Sequence, residues 1–593
     1  MKTKTSFLKK SIWLNLIIII IICTAFIHTI NIRNNSFGKI SPDSFTFLTG
    51  STTVFTNNWI NQNPFHINFA LYEKPFSVES VKNQSLYISY PPGSIVPIYI
   101  LCKVFNTKAT PKLIMAYNMF NHLLISLLLS FLTLLLIKDL DYNWIGKLIL
   151  SLISGLSYLY LKALLIWHQI IYFADTAVLP LFFLVIFLEL FKDKYPTNKH
   201  TRKLNIFQSF IIICGALTDW LFIALLLCMY IKRLLNNQIR TNSIKIFFKE
   251  TLNFFLPAII SFLLFCYQLT ALNGWKLLEN RFLSRISKKE VIILEKSIKH
   301  TFWVKHIMKF SDGYLIMFFA LLSLFVIITF NIIKNKIKKD VIFKNKNETP
   351  LIFNILLISF IPCILYNFIV KNHADIHPFS VAKFGIIFSL TISLIIPLLI
   401  NDFFNSPKIS QNHIWLKINS YIKKLYPFIG ILLSIYLIQI SRSIKIINRY
   451  QENDTLQKIG YFIKKNTNFY STIFSDSYVQ YQNPPQQVAL TYKLIYNSNY
   501  SKSKIDSLLK IPKIEINFFS NKQLSGTEII KVDSLLVDNF DILTMKKNIE
   551  STASMNLEVT PSELQDFILN LNRGNMFYLY RIKNKSKIKE VFN

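Results

Sequence analysis

The chain has 593 residues, of which 52% are hydrophobic, 15% aromatic and 17% charged, and its mean hydropathy is +0.37. This composition excludes an ordinary soluble globular protein, whose surface needs more charge. A net charge of +34 would fit nucleic-acid binding if it formed a stripe on one domain. The basic residues instead form short clusters between apolar blocks, and the six cysteines show no disulfide or metal-binding spacing.

The apolar blocks are long enough to cross a hydrocarbon core of about 30 Å. Four lysines precede the first block, which has no small-x-small cleavage site, so we predict an uncleaved first span with a cytoplasmic N-terminus. The sequence predicts a polytopic α-helical membrane protein with about eleven transmembrane helices. They are expected at 12–30, 112–137, 145–163, 175–191, 204–216, 219–232, 251–269, 313–333, 351–370, 382–400 and 426–441.

Charge in the connections gives the orientation. Alternate threading places 192–203, 233–249, 334–348 and 401–425 on the cytoplasmic side, and all four are rich in Lys and Arg. This topology requires a break near Asp219. A single helix over 204–232 would put that carboxylate in lipid at a cost of ~2.5–3.5 kcal/mol. We therefore predict two short spans within residues 204–232. The pattern of spans and basic connections predicts a multi-pass protein of the bacterial inner (cytoplasmic) membrane.

The predicted organisation has two parts. Residues 1–441 form the transmembrane domain, including a long extracytoplasmic first loop over 31–111, and residues 442–593 form a small soluble extracytoplasmic α/β domain. A helical period and three strand-like stretches support the second part. They are Leu456, Ile459, Phe462 and Ile463 for the helix, and residues 472–475, 515–519 and 577–580 for the strands.

On this topology the ionisable groups at the membrane edge gather on the extracytoplasmic side. They are Asp43 in the first loop, Asp175 at the start of the fourth span, Asp219 at the break, and His373 and His377 between the ninth and tenth spans. Each one alone fits a helix cap or an interfacial residue. Their convergence on one face indicates a functional site, because such groups are costly at membrane depth.

The segment 276–309 is predicted to be extracytoplasmic, yet it is strongly basic. Arginines such as Arg281 and Arg285 at the level of the head groups bind phosphate bidentately. An amphipathic helix resting on anionic lipid would explain the same pattern, and the sequence leaves both interpretations open.

These features resemble a known family. Asp43 after a single span, then Tyr90–Pro91–Pro92–Gly93, and Asp175 opening the fourth span are similar to the glycosyltransferase C superfamily, especially family 39-type enzymes such as protein O-mannosyltransferases and lipid A aminoarabinose transferases. The resemblance covers about residues 12–441. It implies sugar transfer from a polyprenyl-phosphate donor to an acceptor glycan, lipid or protein at the extracytoplasmic face, with inversion.

The resemblance implies a role for one residue, and the chemistry and predicted positions of the others suggest theirs. Asp43 matches the catalytic carboxylate of the family, although Ser44 follows where the family often has a second acid. No metal or cofactor is indicated. The expected substrate-binding residues are Tyr90, His168, Asp175, Asp219, His373 and His377, and the expected lipid-phosphate-binding residues are Arg281, Arg285 and Lys383.

Three other functions stay open. A surface-polysaccharide polymerase or ligase also uses polyprenyl-linked sugars, and its basic loop would match 276–309. A transporter or flippase would show charged or broken helices near the bilayer midplane, and the predicted mid-span regions here are almost free of charge. A non-catalytic membrane scaffold is the third.

Overall fold

The computed structural model describes most of the first 442 residues and a few strands beyond them. The described residues are 2–34, 37–40, 46–75, 85–195, 201–236, 244–286, 351–398, 413–442, 464, 471–475, 494–497, 515–520 and 578–581.

Helices dominate the described part of the chain. In chain order they are α1 (Lys2–Arg33), α2 (Phe47–Gln62), α3 (Val96–Val104), α4 (Pro111–Leu136), α5 (Trp144–Tyr160), α6 (Lys162–Ile170), α7 (Ala174–Lys194), α8 (Thr201–Ala216), α9 (Leu221–Leu235), α10 (Ile244–Ala271), α11 (Trp275–Ile286), α12 (Leu351–Ser359), α13 (Ile361–Ile369), α14 (Lys371–Ile376), α15 (Gly385–Leu390) and α16 (His413–Arg442). A 3₁₀ segment, Pro378–Phe384, precedes α15, and a π-helical turn, Thr391–Ile395, follows it.

Seven helical segments of the described part are long and apolar enough to cross a membrane. They are Ile12–Arg33, Pro111–Leu136, Ala174–Lys194, Phe247–Ala271, Leu351–Ile369, Phe379–Leu398 and Ser420–Gln439. All seven match predicted spans. The predicted span at 145–163 is α5, which is followed after a 57° bend by α6, and this pair counts as an eighth. The predicted span at 313–333 lies outside the described residues, so the count of eleven stays a prediction.

The predicted break in 204–232 is present. Helix α8 ends at Ala216 and α9 begins at Leu221, and with 16 and 15 residues both are shorter than each of the seven spans. Asp219 explains the break, because its Oδ1 accepts a hydrogen bond from the backbone N of Leu221 at 2.7 Å and so caps the new helix.

The first loop contains more structure than its polar composition indicates. Its residues 47–62 form α2, which is buried from Thr49 to Trp59 although it is rich in Thr and Asn. Backbone carbonyls of other segments satisfy these side chains: Asn57 Nδ2 donates to Ala109 O at 2.9 Å and Asn58 Nδ2 to Tyr72 O at 2.9 Å. A short antiparallel pair, β1 (Leu71–Tyr72) and β2 (Leu86–Tyr87), lies beside this helix.

The main core lies among α4, α5, α7, α9 and the segments from α12 to α15. Helices α4 and α5 approach closely at small residues. A Cβ at Gly155 would lie 2.3 Å from Ser130 Oγ, so a larger residue there would force the helices apart. This packing fixes the start of α7, where Asp175 lies, relative to the segment that carries Lys383.

Beyond α16 the described residues, apart from the single residue 464, form one four-stranded sheet. Its strands are β3 (Ser471–Ser475), β4 (Leu494–Asn497), β5 (Glu515–Ser520) and β6 (Tyr578–Arg581), in the order β4-β3-β5-β6. Strand β3 is parallel to β4 and β5, whereas β6 is antiparallel to β5. The three predicted strands are confirmed and β4 is an addition. The predicted helix at 456–463 lies outside the described residues, so the α/β class stays a prediction.

Candidate active site

The centre of the candidate site is a buried ion pair at the start of α7. Lys383 Nζ donates to Asp175 Oδ1 at 2.7 Å, and both side chains are almost completely inaccessible to solvent. His373 Nε2 lies 3.4 Å from the other carboxylate oxygen, Oδ2. Asp175 is in the first turn of α7, where the helix dipole also favours a negative charge.

Two tyrosines extend this ion pair into a larger polar cluster. The Tyr90 hydroxyl lies 3.3 Å from His373 Nε2 and 3.1 Å from the Tyr366 hydroxyl. Lys383 Nζ sits 3.9 Å from the centre of the Tyr366 ring, where a cation–π interaction adds to its pairing with Asp175. A cation, a carboxylate, an imidazole and two hydroxyls are thus joined within one buried network.

Asp219 is the second carboxylate of this region and lies in the turn between α8 and α9. Its Oδ1 accepts the capping hydrogen bond from the backbone N of Leu221. Its Oδ2 makes no hydrogen bond of standard geometry, although the residue is fully buried. Burial raises the pKa of Asp219 to about 7, while Lys383 and the Tyr366 hydroxyl oppose that rise and Asp175 adds to it. A buried carboxyl oxygen with open hydrogen-bonding capacity suits a ligand hydroxyl.

The Pro91–Pro92–Gly93 segment holds this turn in place. Gly93 N donates to Leu217 O at 2.7 Å, and Trp220 Nε1 donates to Ser89 O at 3.1 Å. The Tyr172 hydroxyl in turn donates to Ser94 O at 2.9 Å. The segment therefore connects the start of α7 to the turn that carries Asp219, and the adjacent Tyr90 enters the polar cluster.

His377 and the basic helix α11 lie at the edge of the cluster. The rings of His373 and His377 are 4.5 Å apart. Helix α11 packs against α14, which carries His373, and Arg281 on α11 is exposed. The side chain of Arg285 lies outside the described residues.

Asp43 also lies outside the described residues. The residues on either side of it in the chain, Ile40 and Thr46, are fully buried. Helix α2 begins directly after Thr46, and Thr49 Oγ1 donates to Ile170 O at 2.7 Å and accepts from Tyr172 N at 3.0 Å. Thr49 therefore joins the start of α2 to the backbone a few residues before Asp175.

His168 does not join the other predicted site residues. It belongs to a separate buried group beneath the α5–α6 bend, in which the Tyr158 hydroxyl lies 2.8 Å from His168 Nε2. The ring of His168 stacks on that of His122 at 4.6 Å, and Arg33 Nη1 lies 3.3 Å from His122 Nδ1. The predicted role of His168 in substrate binding stays a prediction.

Comparison with known proteins gives a structural match but no sequence match. The whole chain aligns with ArnT from Cupriavidus metallidurans, whose crystal structure was solved bound to undecaprenyl phosphate. The TM-score is 0.51 at 8% sequence identity, over 95% of this chain and 97% of ArnT. The chain therefore shares the fold of ArnT. No protein-family profile matches, and no curated protein matches in sequence.

A second similar structure is an oligosaccharyltransferase from Archaeoglobus fulgidus in complex with zinc and sulfate. It aligns over 84% of this chain and 67% of its own length, with 10% identity and a TM-score of 0.47. ArnT in the apo state also scores 0.47, at 8% identity, over 85% of this chain and 92% of its own length.

One member of the polar cluster, Tyr366, was not predicted from the sequence. Tyr366 lies in an apolar span and carries no charge, so the pattern of charged groups gives no indication of it. The pair Tyr366–Asn367 is nevertheless polar within an otherwise apolar helix, seven residues before His373. Buried polar residues near a span end were the signal that would have identified it. Within the described residues, no group of three His, Cys, Asp or Glu side chains is arranged to hold a metal ion.

Proposed function

We propose that this chain is an integral membrane glycosyltransferase. It transfers a sugar from a polyprenyl-phosphate donor to an acceptor at the extracytoplasmic face. The main support is the buried network of Asp175, Lys383, His373 and Tyr90 at the end of the helix bundle. A chain that only anchors a soluble domain would have no need for such a network, because burying charged groups is costly. The end-to-end fold match with ArnT, a structure that contains a polyprenyl phosphate, supports a lipid-linked donor.

In the proposed reaction Asp43 is the general base. Its carboxylate takes the proton of the acceptor hydroxyl as that oxygen bonds to the anomeric carbon. The bond between the anomeric carbon and the phosphate oxygen breaks on the opposite face, so the configuration inverts and the lipid phosphate leaves as an anion. Support for this role comes from the described residues that follow this stretch, since Thr46 is buried and Thr49 is hydrogen-bonded beside the start of α7.

The buried network is the proposed sugar-binding site. Asp219 Oδ2 can accept a hydrogen bond from a sugar hydroxyl or, when the carboxyl is protonated, donate one to it. Tyr90 and His373 present further polar groups beside it. Lys383 is engaged by Asp175, so it contributes positive charge to the site through that pair. We assign the departing phosphate first to Arg281 and Arg285, because guanidinium groups on α11 suit bidentate phosphate contacts.

Orientation is part of the proposal. A cytoplasmic N-terminus places the end of α1, the start of α7 and the 217–220 turn on the extracytoplasmic side, which is where polyprenyl-linked sugars would be consumed. Cysteine accessibility in right-side-out vesicles tests this directly, by labelling a single cysteine introduced near the turn. Labelling only from the cytoplasmic side would reject both the topology and the site.

The decisive experiment is transfer in proteoliposomes. Lipid-linked sugars extracted from a strain that lacks the protein identify the accumulated donor, which is then supplied to the purified full-length chain. The Asp43→Asn variant is expected to lose about 10²–10⁴-fold in rate, because general-base catalysis contributes that much. Ser44→Ala is the matched control and should retain transfer. Full activity of Asp43→Asn would reject the assignment, and solute uptake without sugar transfer would favour a transporter.

A further inference from the structure

A cavity of about 580 Å³ lies apart from the polar network, between the first loop and the α10–α11 connection. One wall comes from the first loop and the other from the end of α10 and the start of α11. Its lining includes His66, Asn68, Tyr72, Asn273, Gly274 and Leu277. The volume is within the range of about 300–1,000 Å³ that is usual for ligand pockets.

Specific contacts maintain the two walls. Gln268 Nε2 on α10 donates to Phe69 O in the loop at 2.7 Å, which joins the walls directly. In the loop, Asn68 and Phe69 have φ values of 50° and 54°. A left-handed backbone is strained for a bulky residue such as Phe and is retained only where the surroundings enforce it. The loop therefore has a defined shape facing α10.

The polar groups of the cavity are uncharged or weakly basic. Among the described residues that line it there is no Asp, Glu, Lys or Arg. The amides of Asn68 and Asn273 each offer donors and an acceptor, which is the pattern that neighbouring hydroxyls on a ligand satisfy. The Tyr72 hydroxyl is protonated at neutral pH, and burial raises its pKa further. An anionic or strongly cationic ligand would find no opposite charge on these walls.

Exposed aromatic rings border the cavity on both sides. Phe65 is 72% exposed and precedes the lining residue His66, and Trp275 is 48% exposed and follows Gly274. Phe65 is held by an edge contact with Phe69 at 5.0 Å, and Trp275 Nε1 donates to Thr270 Oγ1 at 3.1 Å. Flat apolar rings beside amide groups suit a ligand with both C–H faces and hydroxyls.

The cavity is close to the proposed active site. Leu86 lines it and pairs with Tyr72 in the β1–β2 ladder. Tyr90, which belongs to the polar network, is four residues further along the chain, so at most about 14 Å of backbone separates the two. A chain of a few sugar units spans that distance.

We infer that this cavity binds an uncharged oligosaccharide, the part of the acceptor that is not modified. The inference rests on the proposed transferase function and specifies its acceptor as a glycan rather than a peptide or a free lipid. Amide-lined walls with bordering aromatic rings recognise the sugar units, while the terminal acceptor hydroxyl extends past β2 toward Tyr90.

Binding is tested without catalysis. Detergent-solubilised full-length protein is applied to an array that carries neutral oligosaccharides, acidic oligosaccharides and peptides. Leu277→Trp fills the cavity from α11. Asn273→Asp replaces an amide donor with a charge, and Asp, like Asn, tolerates the left-handed backbone conformation of this position. Leu283→Trp is the matched control, because Leu283 is on the same helix, exposed, and not part of the lining.

We expect wild type and Leu283→Trp to bind neutral oligosaccharides, and Leu277→Trp and Asn273→Asp to bind them at least about tenfold more weakly, a loss of ~1.4 kcal/mol. Asp43→Asn should bind like wild type, which separates this site from the proposed catalytic group. Unchanged binding by Leu277→Trp, or selection of acidic glycans or peptides, would overturn the inference. If transfer in proteoliposomes succeeds while neutral glycans fail to bind, the proposed function stands and this inference falls.

Discussion

Gly93 N donates a hydrogen bond to Leu217 O at 2.7 Å, and this contact joins the Pro91–Pro92–Gly93 segment to the turn that carries Asp219. A Cβ on Gly93 would lie 2.4 Å from the same carbonyl oxygen and 2.8 Å from Thr218 Oγ1. The glycine is required here by close approach of two backbones, since the structure leaves no room for a side chain. The residues on either side of this contact, Tyr90 and Asp219, belong to the polar site.

Gly93→Ala should therefore disturb the site. The added methyl group meets a backbone carbonyl that cannot rotate away, and we expect a loss of about 1–3 kcal/mol in stability together with reduced sugar transfer. Thermal unfolding in detergent and the proteoliposome assay measure the two effects. Gly430→Ala is the control, because the nearest atoms that its Cβ would meet belong to the Ile153 side chain and not to the backbone. Equal behaviour of the two variants would show that the Gly93 contact has no special role.

The Asp175–Lys383 pair is expected to be strongly coupled. Lys383→Met leaves a buried carboxylate without its cation and should cost ~3–5 kcal/mol in stability, whereas the double variant with Asp175→Asn should recover part of that loss. Chemical unfolding of both single variants and the double variant gives the coupling energy. The exposed pair Lys194–Asp139 is the comparison, and Lys194→Met should cost less than ~1 kcal/mol. If the stability losses of the two single variants simply add in the double variant, Asp175 and Lys383 are not coupled and the expectation is wrong.

Asp219 should make stability depend on pH. Burial raises its pKa in the folded chain to about 7, above the ordinary value of 3.8. Between these values the folded state binds more protons than the unfolded state, so this group's contribution to stability falls as pH rises through the window and levels off above about pH 7. The asparagine side chain of the Asp219→Asn variant cannot ionise, so the variant does not lose stability at this position as pH rises.

The melting temperatures of wild type and Asp219→Asn, measured in detergent from about pH 5 to 8, check this expectation. The difference, variant minus wild type, should rise up to about pH 7 and then remain constant. Glu279→Gln on the exposed face of α11 serves as a control for general charge effects. A difference that does not vary with pH would mean that Asp219 ionises normally in the folded protein.

A second buried charge cluster lies at the other end of α7 and should affect stability alone. Glu189 accepts from Lys232 Nζ at 3.0 Å and from Arg233 Nη2 at 2.8 Å, which joins α7 to α9. It is 14 residues from Asp175, about 21 Å along the helix. Glu189→Gln should lower the melting temperature and leave the KM for the lipid-linked donor unchanged. A selective change in KM would place this cluster in the substrate path.

The pattern of apolar blocks predicted most of the described spans, because a bilayer imposes a minimum length on every crossing helix. It also located the break at Asp219, where one carboxylate made a continuous helix too costly. The α2 helix was not predicted. Its Thr and Asn side chains are typical of an exposed loop. Their burial is possible because carbonyls from other parts of the chain, such as Ala109 O and Tyr72 O, accept their hydrogen bonds.

The polar site also combines residues that the sequence predicted with contacts that only the fold provides. Asp175, Asp219, His373 and Tyr90 were selected from sequence because ionisable groups and a Pro-Pro-Gly segment are conspicuous beside apolar spans. The fold pairs Lys383 with Asp175, which the sequence did not indicate, and the expected role of Lys383 in phosphate binding stays a prediction. Residues 208 positions apart meet only through helix packing, so their pairing has no local signal.

The sequence by itself determined that this is a multi-span membrane protein, where its helices break, and which side chains are candidates for chemistry, because these properties follow from local hydropathy, charge and capping. The tertiary structure decided which candidates meet. It brought Tyr90, Asp175, Tyr366, His373 and Lys383 into one network and placed His168 in another, because the packing of distant helices determines those distances.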